Sequence, residues 1–518
     1  MATHVAEREL RSVNPATLEP VGTVPVTATG DVAAAVERAA AAQEEWAALP
    51  FTARRRVLAE TAHVLVEHMD EVAQTIRAET GRPLVEAFTL DVLLAVEPLV
   101  WLAREAERVL APERLRLRVA YLAHKRARIV YEPLGVVAAI TPWNIPLAIP
   151  LTQAATAVAA GNAVVLKPSE LTPLTGAWVE RLFMEAGAPE GLVTVVQGGG
   201  DVGDALVRAP GVAKIVFSGS AATGRRIATA AGELLRPVTL ELGGKDPMLV
   251  FADADVERAV EGAAFGSFAN CGQVCVGIER IYVERPLYDE FVGAFAQRAQ
   301  QLRVGEELGP LISEHQRSHV EDLVAEALER GAQARAGAHR AQTDLPGWFY
   351  EPTVLERVPA SARIEREEVF GPVATVAAFD DENDAVSQAN ASPFALGASI
   401  WTRDRERARR VASRLSAGMV WTNDVGYSYG SGPAPWGGRG GSGFGRTHGK
   451  HGLYELSNVK FVDADTGRIP VPWWYPYDAR TVDGFRGVLG LLHGEEKLRS
   501  LWRHRRGLAQ LASRYLRR

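Results

Sequence analysis

Apolar positions recur at helical spacing over the first hundred residues. Asn14-Pro15-Ala16-Thr17 reads as a turn and residues 21–26 as a short alternating strand. Alanines and valines then repeat every three or four positions from Val32 to Ala48, with Asp31 placed to cap the first turn. A second helical stretch runs from near Thr52 to Thr80, where Gly81 and Pro83 stop it, and a third covers residues 84–109. These three read as scaffold without chemistry of their own. Residues 115–131 alternate apolar and basic side chains (Val119, Tyr121, Ala123, Lys125, Arg128, Ile129, Val130), the pattern of a hairpin of two exposed strands. An isolated hairpin is marginal in water, so it needs something to pair with.

From Gly135 the pattern changes to short, continuously apolar runs: Val136-Val137-Ala138-Ala139-Ile140, Ala163-Val164-Val165-Leu166, Val193-Thr194-Val195-Val196 and Ile215-Val216-Phe217. Strands apolar on both faces and spaced by helix-length segments predict a parallel, doubly wound sheet covered on both sides. Ligands in such sheets sit beyond the carboxyl ends of the strands. The residues found there are Thr141-Pro142-Trp143-Asn144, Lys167-Pro168-Ser169-Glu170, Gly198-Gly199-Gly200 and Ser218-Gly219-Ser220. Singly, each has a plain structural reading, a loop or a helix start. Four of them in register with four strands predict a nucleotide site, with backbone N–H groups at a helix start holding a pyrophosphate.

Val238-Thr239-Leu240-Glu241-Leu242-Gly243-Gly244-Lys245 then places a carboxylate inside an apolar strand. Such a group is costly unless it is used, the alternative being a salt-bridged structural glutamate. Both cysteines of the 518-residue chain fall in one segment, Asn270-Cys271-Gly272-Gln273-Val274-Cys275, between a small-residue apolar run and the strand Ile281-Tyr282-Val283. Cys275 therefore sits on a turn where a thiol can face a cleft, although a free cysteine is also commonly a small buried hydrophobe. Further βα alternation leads to Glu367-Glu368-Val369-Phe370-Gly371-Pro372 and to a strand near 418–423. A Gly-rich turn, 436–446, then precedes a last strand at 456–461. His448 and His451, three apart with no third ligand, read as loop residues, and no metal is expected.

Composition adds boundaries. The length exceeds one hydrophobic core, so two or three structural units are expected. A net charge of −6 gives no reason to expect nucleic acid, and two cysteines point to a reducing compartment. The start lacks the apolar core of a signal peptide, and the long apolar run at 134–168 is broken by Pro142, Asn144, Pro146, Pro150, Gln153 and Asn162, so no membrane span is expected. The expected location is the cytoplasm.

Gly272-Gln273-Val274-Cys275, the Leu242-Gly243-Gly244-Lys245 context of Glu241, Asn144 and Glu368 together resemble the NAD(P)-dependent aldehyde dehydrogenase superfamily over about residues 12–463. The resemblance implies an α/β fold with a Rossmann-like doubly wound cofactor domain (12–114 and 133–243), an α/β catalytic domain (244–445), and a small β oligomerisation element (115–132 and 446–463). It assigns the nucleophile to Cys275, the general base to Glu241 and the alkoxide-stabilising amide to Asn144. NAD(P) would be held by Thr141, Pro142, Trp143, Lys167, Ser169, Glu170, Gly200, Gly219, Ser220, Leu242, Gly243, Glu368 and Phe370. Lys167 and Glu170 would meet the adenosine ribose, Gly219 and Ser220 the pyrophosphate, and Glu368 the nicotinamide ribose. NAD is the expected cofactor and NADP the alternative, because Glu170 beside the ribose would repel a 2′-phosphate. The partners implied are a small aldehyde and further copies of the chain, as a dimer or homotetramer.

Hydrolysis of a Cys275 thioester is the expected outcome. The alternatives are a relative that passes the acyl group to coenzyme A, which would usually lack a carboxylate at Glu241, and a silent structural protein on the same fold. Semialdehyde-specific members place arginines where this chain has Ala269 and Thr152, so a neutral aldehyde is expected over succinic semialdehyde. Cys271 reads as a pocket-lining residue, a disulfide with Cys275 being geometrically demanding.

From Asp463 the resemblance weakens, although a few bacterial members, some succinate-semialdehyde dehydrogenases among them, have a similar extended tail. Residues 464–518 read as an arm: Trp473, Trp474, Tyr475 and Tyr477 are too apolar for water, and Pro470, Pro472 and Pro476 keep the segment extended. Two helices follow, with Leu498, Leu501, Trp502, Leu508, Leu511 and Tyr515 on one expected face and a basic face opposite that ends in Arg517 and Arg518.

Overall fold

The computed structural model describes residues 9–117, 122, 125–465, 471, 473–475 and 477–516. Val119, Tyr121 and Ala123 of the expected hairpin lie outside these residues, as do Pro470, Pro472 and Pro476, the side chain of Tyr515, and Arg517 and Arg518. The chain forms two compact units, Met1–Leu110 with Glu132–Asn458, and Ala111–Tyr131 with Val459–Arg518.

The larger unit contains two sheets. The first has the spatial order Gly443–Phe444, Val238–Glu241, Val212–Ser218, Val136–Ile140, Ala163–Lys167, Val193–Val195. Its last five strands run parallel. All five positions of Val136–Ile140 and of Ala163–Lys167 are buried, which is why these runs carry no polar alternation. Val136–Ile140 lies centrally, with later strands added on either side, so the order reverses there. That topology is doubly wound and leaves a crevice at the carboxyl ends. Register aligns those ends: Ile140 lies opposite both Lys167 and Phe217, and Ser218 opposite Glu241.

The second sheet orders Gln333–Ala336, Thr353–Glu356, Val373–Phe379, Ile278–Glu284, Asp246–Val250, Ser399–Trp401 and Trp421–Thr422, parallel except for its first pair. The Gly-rich turn adds an edge strand to the first sheet, because Gly443–Phe444 pairs antiparallel with Leu240 and Glu241. Gly443 has φ 100°, and a Cβ there would lie 2.0 Å from the Leu240 carbonyl oxygen.

Several helix expectations need correction. Val32–Ala48 has the expected bounds, but Asp31 makes no side-chain cap; it ends a short 3-10 turn that leads into the helix. The stretch expected as one helix to Thr80 is two, Phe51–Glu67 and Met69–Thr80, broken at His68. The third stretch is Leu84–Ala87, a π-turn at Phe88–Val92, and Leu93–Val109 with Pro98 inside it.

In the smaller unit a sheet orders Ser457–Asp465, Lys125–Pro133 and Glu113–Leu115, and Lys125 Nζ meets Asp463 Oδ2 at 2.6 Å. The tail holds three helices, Ala479–His493, Lys497–Arg503 and Arg505–Leu516. The single face expected for Leu498 through Leu511 does not form, because the chain breaks at His504, whose Nδ1 meets Asp483 Oδ1 at 2.7 Å. Leu511 is buried against Gly484, whereas Leu498, Leu501 and Trp502 remain exposed.

Candidate active site

The helix Val256–Phe268 delivers the chain to Asn270, Cys271 and Gly272, whose φ values of 52°, 56° and 70° are successively left-handed. Gly277 N–H donates to the Val274 carbonyl at 2.8 Å, closing a turn with Cys275 at its first corner, directly before the strand Ile278–Glu284. Cys275 is half-buried and opens onto a cavity of about 330 Å³. Cys271, expected to line that pocket, packs instead in the core of the second sheet, where the left-handed turn swings it away from the cavity.

Both remaining catalytic expectations meet Cys275 there. Glu241, at the end of its strand, and Asn144, in the turn after Val136–Ile140, both line the cavity. Burial pushes the Glu241 carboxyl up to about 8, against the opposing pull of the Arg446 guanidinium, and its Oε1 has no hydrogen-bond partner among the described residues. Burial, with the carboxylates of Glu241, Asp246 and Glu368 adding to it, pushes the Cys275 thiol well above its usual range. Asn144 Nδ2 donates to the Gln273 carbonyl at 3.1 Å, which engages one of its two N–H groups.

Of the residues expected at a cofactor, Pro142, Trp143, Gly219, Ser220, Leu242, Gly243, Glu368 and Phe370 line the same cavity. Phe370 and Trp143 meet edge to face with centroids 5.5 Å apart. The two glycines after Glu241 are required by what passes them. A Cβ on Gly243 would lie 2.1 Å from a Glu368 carboxylate oxygen, and one on Gly244 would lie 2.1 Å from the Cys275 carbonyl oxygen. Glu368 Oε1 accepts the Gly244 N–H at 2.9 Å, and burial first, then the charge of Glu279, raises its carboxyl to about 8. Thr141, Lys167, Ser169, Glu170 and Gly200 do not line the cavity but extend the same sheet edge. Thr141 N–H donates to the Lys167 carbonyl at 3.1 Å, Lys167 Nζ pairs with Glu170 Oε2 at 3.0 Å, and Gly200 opens the helix Gly200–Arg208.

Residues 2–462 match the aldehyde dehydrogenase family. The chain is 37% identical over 456 residues to the NADP(+) succinate-semialdehyde dehydrogenase GabD of Escherichia coli K12, covering 87% of this chain and 93% of that one. It is also 37% identical over 486 residues to the betaine aldehyde dehydrogenase of Bacillus subtilis, covering 90% and 97%. The aldehyde dehydrogenase of Mycobacterium tuberculosis solved with NAD+ superposes with a TM-score of 0.85 at 35% identity, covering 89% of this chain and 96% of that chain. This chain belongs to the aldehyde dehydrogenase family. It is an oxidoreductase that oxidises an aldehyde with NAD(P).

The dehydrogenase's own residues fit a dinucleotide. The helix Ala221–Glu233 points its N-terminus, capped by Ser220, at the cavity, where free backbone N–H groups favour an anion. Thr141 Oγ1 is buried beside that turn's sheet edge without a hydrogen-bond partner among the described residues. Other contributors were not legible in sequence. Tyr429 lines the cavity and bonds Thr152 Oγ1 at 3.0 Å, but Tyr427-Ser428-Tyr429-Gly430 carries no signal. The stretches expected to be pure scaffold also reach the site: Leu90 and Leu94 line the cavity, and buried Asp91 pairs with Arg82 at 3.0 Å. An acidic residue inside Leu90-Asp91-Val92-Leu93-Leu94 was the available clue.

Proposed function

We propose that Cys275 is the nucleophile and Glu241 the base of a hydrolytic aldehyde dehydrogenase. The observation that carries this reading is that Cys275, Glu241, Asn144 and the Ser218–Ser220 turn line one cavity. The Cys275 sulfur gives up its proton to solvent and bonds the aldehyde carbon, while the C=O π pair moves onto the oxygen and leaves an alkoxide. The second N–H of Asn144 and the Cys275 backbone N–H stabilise that alkoxide, one such donor contributing typically about 3 kcal/mol. Bound NAD(P) supplies the two-electron oxidant that turns the adduct into a thioester. Glu241 then takes a proton from water as the water attacks the thioester carbon, and the C–S bond breaks as that proton passes to the departing sulfur, returning the thiol and releasing the acid. A buried carboxyl at Glu241 favours water over coenzyme A as the acyl acceptor. The test is NADH formation across an aldehyde panel of varied chain length, aromatics and semialdehydes, with both cofactors; no turnover of any member would overturn the reading.

NAD is preferred. Glu170, held on Lys167, keeps a half-exposed carboxylate at the sheet edge where the adenosine ribose would lie. That charge accepts from a 2′-hydroxyl and repels a 2′-phosphate. The expected result is a higher kcat/KM with NAD; a clear NADP preference in the wild type, as the name of the Escherichia coli relative indicates for that enzyme, removes the argument.

The substrate is a neutral aldehyde. Ala269 lines the cavity uncharged, Thr152 is buried with its hydroxyl on the Ala148 carbonyl and Tyr429, and among the described residues no arginine or lysine lines it. Leu90, Leu94, Phe265, Val425 and Trp436 offer apolar wall instead. Butanal or hexanal should therefore match or exceed succinic semialdehyde in kcat/KM. An advantage for the semialdehyde beyond about tenfold, roughly 1.4 kcal/mol, refutes this.

Both thiols are free, which suits a reducing cytoplasm, and no helix among the described residues is long and apolar enough to cross a membrane. We assign the chain to a homo-oligomer, dimer or tetramer, with its division at 12–114 and 133–243, 115–132 and 446–463, 244–445, and the arm 464–518. Exposed Trp474, Tyr475, Leu489, Leu498 and Trp502 support an arm that packs on a neighbouring copy. The arm is basic from Lys497 onward and the chain as a whole is acidic, at −6, so their charges complement. Truncation after Val462 should change the oligomer mass or the discrimination among aldehydes. If neither changes and only the intact protein sediments with acidic liposomes, the arm is a membrane anchor instead.

A further inference from the structure

The turn that presents Cys275 is backbone-strained at Asn270 and Cys271, so something must hold it. Asn270 N–H donates to Glu86 Oε1 at 3.0 Å, and its Nδ2 donates to the Asn144 carbonyl at 3.0 Å and the Gln273 carbonyl at 3.1 Å. The Asn144 carbonyl also accepts Arg82 Nη2 at 2.7 Å, from a different segment. Arg82 Nη1 meets Asp91 Oδ2 at 3.0 Å, and Asp91 Oδ1 accepts the N–H groups of Leu147 and Ala148 at 2.9 and 3.0 Å. Arg82 and Asp91 are 2% and 0% exposed. The pair thus grips the backbone at both ends of the segment from Asn144 to Ala148, while Asn270 ties the first of those points to the nucleophile turn.

We propose that Arg82, anchored by Asp91, is a positioning residue that sets the direction of the Asn144 amide relative to Cys275. An arginine fork can reach a carboxylate and a carbonyl at once, which fixes angle as well as distance. Fixing the Asn144 carbonyl restricts the residue whose side-chain N–H must already point at the developing alkoxide when the adduct forms. A purely structural pair would stabilise the fold without touching the turnover step. The proposal rests on Asn144 acting as the alkoxide donor.

The test uses the full-length enzyme with saturating NAD. Arg82→Met should lower kcat about thirtyfold or more, since small misplacement of a catalytic group has effects of that order. KM for the aldehyde, NAD affinity and the rate of Cys275 alkylation by iodoacetamide should move less than threefold. Arg82→Lys, which keeps the charge and a donor, should recover at least half of that loss on a logarithmic scale. Should Arg82→Met fail to fold, Arg82→Met with Asp91→Asn removes both charges while keeping an acceptor for Leu147 and Ala148, and is read the same way. In an Asn144→Ala background the Arg82 substitution should add less than threefold, because its route is already lost. A change in melting temperature with kcat intact, or full additivity with Asn144→Ala, overturns the positioning role. Wild-type kcat in Asn144→Ala alone would overturn the donor reading instead.

Discussion

Cys275→Ala should form NADH at a rate lower by about four orders of magnitude or more, the scale on which removal of a covalent nucleophile acts. NAD affinity should stay within about twofold of wild type. The substitution removes one sulfur from a half-buried turn corner, and the Ser218–Ser220 turn, Trp143 and Phe370 do not depend on it. Cys271→Ala should do the reverse. That thiol is core, so its loss leaves a small void that costs about 1 kcal/mol of stability while turnover persists. The two variants together decide which cysteine reacts: an inactive Cys271→Ala beside an active Cys275→Ala would reverse the assignment. The raised pKa adds a second readout. Because burial and three carboxylates disfavour the Cys275 thiolate, alkylation of the resting enzyme should accelerate with pH across the neutral range and reach no plateau at the usual cysteine value.

What the chain shows before it is folded follows from how local each signal is. Val136–Ile140 and Ala163–Lys167 were legible almost to the residue, because a strand covered on both faces has no polar alternation to blur its ends. The turns after Val136–Ile140 and Val212–Ser218 followed from topology, which is why Trp143, Gly219 and Ser220 could be placed at a cavity edge. Helix interruptions were not legible: nothing apolar changes at His68, and the π-turn at Phe88–Val92 is a backbone event inside an unbroken helical pattern. Cys271 was misplaced for a related reason. Its direction depends on three successive left-handed residues, two of them not glycine, which spacing does not reveal. The Arg82–Asp91 pair stayed hidden because its meaning lies in Asn144, Leu147 and Ala148, more than fifty residues away.

Glu241→Gln should separate the two halves of the reaction. Acylation needs the sulfur and the alkoxide donors, so a burst of about one NADH per site is expected. Hydrolysis needs a base, and its loss should slow steady-state turnover by about 10²- to 10⁴-fold. The acyl group should then accumulate on Cys275, visible as an added mass on the intact protein. Turnover at the wild-type rate would remove Glu241 from the mechanism. The pH behaviour supplies an independent check. With its carboxyl at about 8, Glu241 is neutral in roughly nine molecules of ten at pH 7, so wild-type deacylation should rise with pH to a midpoint near 8, and the glutamine variant should lose that rise. The sign for stability runs the other way. The folded-state value lies above the ordinary 4.5, so the folded protein holds the proton more tightly than the unfolded chain does. Stability from this group is therefore complete below about 4.5, falls as pH rises toward about 8, and is constant beyond. Glutamine cannot ionise and escapes that loss. The variant that turns over slowly should thus melt higher than wild type at pH 8 to 9, with the gap closing toward pH 5. A gap that is absent or reversed at high pH would mean that the carboxyl is not held neutral by burial in the folded enzyme.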